Sequence, residues 1–216
     1  MNDIEKEQYF GQVTGFMYTM EWQKRGLPHV HILLFLDHQQ AIQTIADIDK
    51  VVCAEIPDCT VDPELFGLVK EHMIHGPCGS LIRDRPCCQS TGRCEEHYPK
   101  FCRAETILTE GSYPEYRRRP LSQGGRSFLY GRNQIELDNG WVVPYNPTLL
   151  MKYRAHINVE ICSTVKAVKY LHKYIFKGSD RAQIAVVQGS QQNDATTAIT
   201  PISATPTQIA MLQQPT

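Results

Sequence analysis

Hydrophobic and polar positions alternate or run together in a way that marks out the elements. Residues 12 to 22 are rich in aromatic and β-forming types, among them Phe16, Tyr18 and Trp22, and predict a strand. Lys24-Arg-Gly-Leu-Pro28 reads as a turn because Gly and Pro punctuate it. His29 to Leu36 follows as a second strand, ending in the unbroken apolar run Ile32-Leu-Leu-Phe-Leu36, so the two strands predict a hairpin. Helical patterns follow at Gln39 to Ile48 and at Pro63 to Ile74, the latter with proline near its first position. Residues 75 to 102 are dense in Cys, Pro and Gly and predict an irregular insertion. Residues 126 to 143 predict another hairpin, with Asp138-Asn-Gly140 as a turn signal. A short helix over Leu149 to Ala155, an alternating strand over His156 to Cys162, and a helix capped by Ser163 and stopped by Gly178 complete the pattern. The expected class is α+β, a central antiparallel sheet with flanking helices and a Cys-rich, zinc-like insertion.

Composition changes this picture in three places. The 216 residues and 42% hydrophobic content suit one packed domain and a tail, set here as 1–183 and 184–216. The tail, from about Gln188, is Gln, Thr, Ser, Ala and Pro, and predicts disorder. No run of about 18 apolar residues is present, which argues against a membrane partner. The net charge of −1 argues mildly against a nucleic-acid binder, but Lys and Arg cluster at Lys24-Arg25, at Arg117-Arg118-Arg119 and between Lys166 and Lys177. Eight cysteines follow an acidic N-terminus with no secretory character, which points to metal ligands or buried thiols over disulfides.

Three constellations carry candidate chemistry. Residues i and i+2 of a strand share a face, so His29 and His31 would project together and Val30 away from them. Two imidazoles plus one carboxylate suit Mg²⁺ or Mn²⁺ acting on phosphate. Glu21, on the partner strand, is the first candidate for the third ligand, and His156 and Glu160 are its rivals. Two half-buried core histidines would look the same in sequence. The second constellation is Tyr170-Leu-His-Lys173-Tyr174-Ile-Phe-Lys177, two copies of Tyr-x-x-Lys four residues apart. On a helix, Tyr170 and Tyr174 share a face, and Lys173 and Lys177 lie near them. A neighbouring cation favours a phenolate, and a tyrosine can form a covalent phosphodiester. An ordinary amphipathic helix fits the same spacing. The third is the cysteine cluster, for which His75, Cys78, Cys87 and Cys94 form the preferred zinc set, with Cys88, His97 and Cys102 as alternatives. Arg117, Arg118 and Arg119, after Tyr113 and Tyr116, and Lys24 with Arg25 are candidates for gripping single-stranded DNA.

Glu21-Trp-Gln-Lys-Arg-Gly-Leu-Pro-His-Val-His31 resembles the HUH motif of the Rep domain of Helitron transposons. Further phrases resemble that family in the same order: Ala54-Glu-Ile-Pro-Asp58, His72-Met-Ile-His-Gly-Pro-Cys-Gly79, Gly92-Arg-Cys94 with Tyr98-Pro-Lys-Phe101, Trp141-Val-Val-Pro-Tyr-Asn-Pro147, His156-Ile-Asn-Val-Glu160 and Lys169 to Gly178. The resemblance spans roughly residues 10 to 183, a region also termed a Helitron helicase-like N-terminal domain. It implies a two-tyrosine HUH endonuclease with His29 and His31 on the metal and Tyr170 and Tyr174 as nucleophiles. The implied activity is nicking and strand transfer of single-stranded DNA in the nucleus, in rolling-circle transposition. It also implies an HUH strand at the centre of the sheet. The family has an earlier strand before the position of Phe10, and a different continuation after Ala182. No Gly-x-x-x-x-Gly-Lys-Ser/Thr motif accompanies the chain, so it reads as a truncated copy without its helicase. An inactive remnant, or a zinc-stabilised module that binds DNA or protein, are the competing functions.

Overall fold

The computed structural model describes residues 2–22, 28–37, 42, 44–82, 84–90, 92–109, 113–162, 182–185 and 208–214. Side chains are described for these except at 2, 5, 21, 22, 28, 182–185 and 208–214. The protein is α+β, with two antiparallel sheets, short helices and a Cys/His cluster. Its contacts divide the chain into two units: Met1–Val51 with Leu108–Pro114 and Val159–Pro215, and Val52–Ile107 with Glu115–Asn158. Among the described residues no helix is long and apolar enough to cross a membrane.

The first unit is built on the expected hairpin. β1 (Val13–Trp22) and β2 (Pro28–Leu36) pair antiparallel from Val13↔Leu36 to Trp22↔Pro28, with a bulge between Val13 and Gly15. Neighbouring residues on β2 point to opposite faces, yet Leu33 and Leu34 are both fully buried. Both faces of this strand are therefore covered, which accounts for an apolar run without alternation. Leu33 packs with Cys162, Met17 and Phe35. The unit also holds α1 (Asn2–Glu5) and α2 (Ile45–Val51), the latter anchored by buried Ile48, while residues 39–41 and 43 of the helix expected over Gln39 to Ile48 lie outside the described residues.

Three more strands complete the sheet: β5 (His156–Cys162), β6 (Ala182–Ala185) and β7 (Gln208–Gln214). The order is β5-β7-β2-β1-β6, with the histidine strand in the middle. β6 runs along β1 from Phe16↔Ala185 to Thr19↔Ala182, and β7 along β2 from Val30↔Gln213 to Phe35↔Gln208. This corrects the expectation of disorder throughout 184–216. Averaged composition hid the short apolar run Ile209-Ala-Met-Leu212, which is long enough for one strand. Both outer sides of the hairpin are paired, so the edges of the sheet are β5 and β6.

The second unit contains α3 (Pro63–His72), the hairpin β3 (Ser127–Tyr130) and β4 (Ile135–Asp138), and α4 (Pro147–Tyr153). Both helices open on the same device. Asp62 and Asn146 accept hydrogen bonds from the backbone N–H three residues on, at 3.0 Å each, and proline takes the first helical position. The core joins Leu68, Val69 and Met73 with Leu137, Trp141, Val142, Tyr145 and Leu150. The hairpin turn is Gly131–Gln134, not Asp138-Asn-Gly140 as expected. Asp138 instead caps a 3₁₀ turn over Asn139–Trp141 by accepting from the Gly140 N–H at 2.9 Å. Glycine is required at 140 because a Cβ there would lie 2.8 Å from the Lys100 carbonyl oxygen.

A polar network ties this unit together. Glu55 accepts from the Arg119 Nε at 2.8 Å, from Nη2 at 2.6 Å and from the Arg119 backbone N–H at 2.7 Å. Burial pushes the Glu55 carboxyl up, but the Arg119 hydrogen bonds and the charges of Arg119 and Arg117 outweigh it and leave it below the usual glutamate value. A carboxyl lowered in this way stabilises the fold above its unfolded pKa and loses that contribution as pH falls through its folded pKa. Glu55→Gln is expected to cost roughly 1.5–3 kcal/mol at neutral pH, the range for hydrogen bonds to a charged group. It should also flatten the acid limb of the stability profile, read by urea unfolding at stepped pH. An unchanged acid limb would mean that other carboxylates set it.

Candidate functional site

His29 and His31 stand on the central strand, 7% and 3% exposed. Their rings stack with centroids 4.4 Å apart and planes 23° from parallel. The pair is thus together on one face, as the strand period requires, with half-buried Val30 between them in sequence. The register sets Thr19 opposite His31 and Glu21 opposite His29. Glu21 therefore holds the cross-strand position nearest the first histidine. Of the rival ligands, His156 is engaged elsewhere: its Nδ1 donates to the His72 carbonyl at 2.5 Å, at the end of α3. Burial lowers its pKa, so it serves as a neutral brace. Glu160 lies on β5 and, among the described residues, does not join the histidines in a three-donor group. Tyr170, Lys173, Tyr174 and Lys177 lie outside the described residues, as do Lys24 and Arg25.

The arginine triplet is engaged by the protein itself, with Arg118 buried and the Arg117 and Arg119 side chains 39% and 38% exposed. Arg118 is 4% exposed, and its Nη1 donates to the carbonyls of Asn139 at 2.7 Å, Val142 at 2.6 Å and Ala54 at 3.5 Å. Arg119 forks onto Glu55, and the Arg117 Nε stands 3.5 Å from the same carboxylate. A run of three arginines looks like a surface patch in sequence, but a carboxylate and several backbone acceptors converge on it. Sequence reasoning missed that network. Its only signal was one acid, Glu55, set between Ala54 and Ile56.

In the second unit, His75, Cys78, Cys87 and Cys94 come together from four points along 20 residues of chain, with ligand atoms all within 4.8 Å of one another. This is the preferred set from the sequence, and it can hold a metal ion such as zinc. The His75 Nε2 lies 3.5 Å from the Cys78 Sγ, 3.6 Å from that of Cys87 and 3.4 Å from that of Cys94. The alternatives fall outside this four-donor group, although the Cys88 Sγ lies 3.7 Å from that of Cys87. The Cys88 Sγ accepts from the Gly79 N–H at 3.2 Å, Cys102 faces Asp138, and His97 is exposed. Burial, assisted by the charges of Lys100 and Arg85, lowers the His75 pKa to about 4, so the imidazole is neutral and its lone pair available. Burial, then hydrogen bonding among neighbouring thiols, pushes Cys78 up.

Aromatic rings brace the cluster. The Tyr98 ring stacks on His75 at 4.2 Å between centroids, and the Trp141 ring lies nearly parallel at 6.5 Å. The His75 N–H donates to the Trp141 carbonyl at 2.9 Å. Stacking by Tyr98 was not foreseen, although the Tyr98-Pro-Lys-Phe101 phrase was singled out.

Comparison with known families gives one match. The model described as the Helitron helicase-like domain at the N-terminus matches residues 1–34, which take in β1 and most of β2 with both histidines. No curated protein matches the chain. Replacing Arg118 by Met removes the guanidinium from three backbone carbonyls, of which that of Asn139 keeps the Val142 N–H at 3.3 Å. The expected loss is about 3 kcal/mol or more, read from urea unfolding of the whole chain. A variant as stable as the parent would show that the guanidinium is not what holds these segments.

Proposed function

We propose that this chain carries the DNA-nicking part of a Helitron-type element. The observation that supports this most is the pair of stacked, buried imidazoles on the central strand, inside the stretch that matches the Helitron domain. The Helitron match suggests a transposon-associated role, and the histidines suggest its chemistry. In this reading His29 and His31, with Glu21 across the hairpin, hold Mg²⁺ or Mn²⁺. The ion supplies charge neutralisation at a phosphate of single-stranded DNA.

The chemical step belongs to the tyrosines. The phenolate oxygen of Tyr170 or Tyr174 attacks the scissile phosphorus. The bond from phosphorus to the 3′ oxygen breaks, and that oxygen leaves with a proton as a free 3′-hydroxyl. The 5′ phosphate stays on the tyrosine until a second 3′-hydroxyl displaces it, which is strand transfer. Lys173 and Lys177 favour the phenolate and bind phosphate. A helicase domain and a nuclear location accompany this reading.

A second reading, a zinc-stabilised binding module, draws on the His75 cluster, because that cluster sits in a unit with its own core. It predicts bound zinc and no covalent product. Incubation with Mn²⁺ and single-stranded oligonucleotides of mixed sequence separates the two. The nuclease reading expects a denaturant-resistant protein–DNA adduct that is lost in His29→Ala and in the double variant Tyr170→Phe/Tyr174→Phe. Single-strand binding by folded protein without any adduct would favour the module.

A further inference from the structure

The geometry points to a closed structural zinc centre at His75, Cys78, Cys87 and Cys94, on which the fold of the second unit depends. It is independent of any ion at the histidine pair. The first argument is a count of donors and acceptors. Three sulfurs lie 3.4–3.6 Å from one imidazole nitrogen. A neutral imidazole nitrogen has a single lone pair, which can accept from one thiol only. As a purely hydrogen-bonded group the arrangement lets one thiol donate to the imidazole and leaves the other two to weak thiol–thiol contacts, whereas a cation at the centre uses all four lone pairs.

The second argument is size. Zinc bonds of about 2.3 Å to sulfur and 2.0–2.1 Å to nitrogen, at tetrahedral angles, give edges of about 3.6 Å between nitrogen and sulfur. The three measured edges match that figure. A disulfide does not fit, as all of these cysteines are free thiols. Four protein donors also fill a tetrahedron and leave no open position for water or substrate, which is the mark of a structural site.

The third argument is what the site would hold. Between His75 and Cys102 the described residues contain one short 3₁₀ turn, Pro86–Cys88, and no strand. Regular backbone hydrogen bonding cannot account for the order of this segment. The four ligands link the exit of α3, the 3₁₀ turn and the loop leading to Tyr98. Through the Trp141 carbonyl they join the Asn139–Trp141 turn, where Arg118 also docks.

Metal analysis of the purified full-length chain tests this without DNA. The expected result is about one zinc per chain, lost in Cys87→Ser and kept in Cys102→Ser and Cys88→Ala. Should Cys87→Ser fail to fold, cobalt exchanged into the parent protein gives the answer, since thiolate-to-metal charge transfer and tetrahedral d–d bands are expected. In a Trp22→Phe background, a strong chelator should shift the Trp141 emission to the red, and zinc should restore it. Folded parent protein without zinc, a disulfide among these cysteines, or an octahedral cobalt spectrum would overturn the proposal. None of these readouts involves the tyrosines or a nick, so failure here leaves the nuclease reading standing, and the reverse also holds.

Discussion

The register between β1 and β2 is the constraint on which the candidate nuclease site depends. Because side chains alternate along a strand, a slip of one residue would carry every β1 side chain to the other face of the sheet. Glu21 would no longer lie across from His29, nor Thr19 across from His31. The register is held by burial on both faces at once. Leu33 and Leu34, adjacent and oppositely directed, are each enclosed, so neither face offers a cheap alternative pairing. Isolated hairpins are marginal in water. This one is flanked on both sides, by β6 and β7, which sets the pair of imidazoles on the middle strand of five.

Local signals were legible where one physical rule acted alone. The hairpin followed from an apolar run meeting a Gly-Pro turn. The start of α3 could be read from Pro63, because a pre-set φ suits a helix entrance, whereas α4, expected from Leu149, opens two residues earlier at Pro147 behind the Asn146 cap. The cysteine set emerged from crowding and from histidine at the right distance. Legibility failed where distant segments meet. Asn139-Gly140 has the composition of a hairpin turn, yet glycine is needed there because Lys100 passes close by, a contact made across about 40 residues of chain. The fate of Arg118 depends on carbonyls at Ala54, Asn139 and Val142, none of which any local pattern associates with it. In the tail, four apolar residues were outvoted by their polar surroundings.

The two units solve the problem of order by different means. The first relies on strand pairing around a doubly covered strand. The second relies on points of convergence: a guanidinium on three carbonyls, a carboxylate under a forked arginine, and four ligands around one centre. Each point replaces a length of regular structure. Irregular backbone is costly to order, and a few strong, directional attachments offset that cost more economically than many weak ones.

Chain order gives the sheet an unusual history. β2 leaves the ribosome early, whereas its partner β7 comes from the far end of the sequence. The second unit's Val52–Ile107 and Glu115–Asn158 emerge in between, as an excursion interrupted by Leu108–Pro114 of the first. During synthesis the middle strand of the finished sheet therefore waits as an unpaired edge while the excursion acquires its own core. A nascent chain in that state presents Ile32 to Leu36 to the surrounding solution.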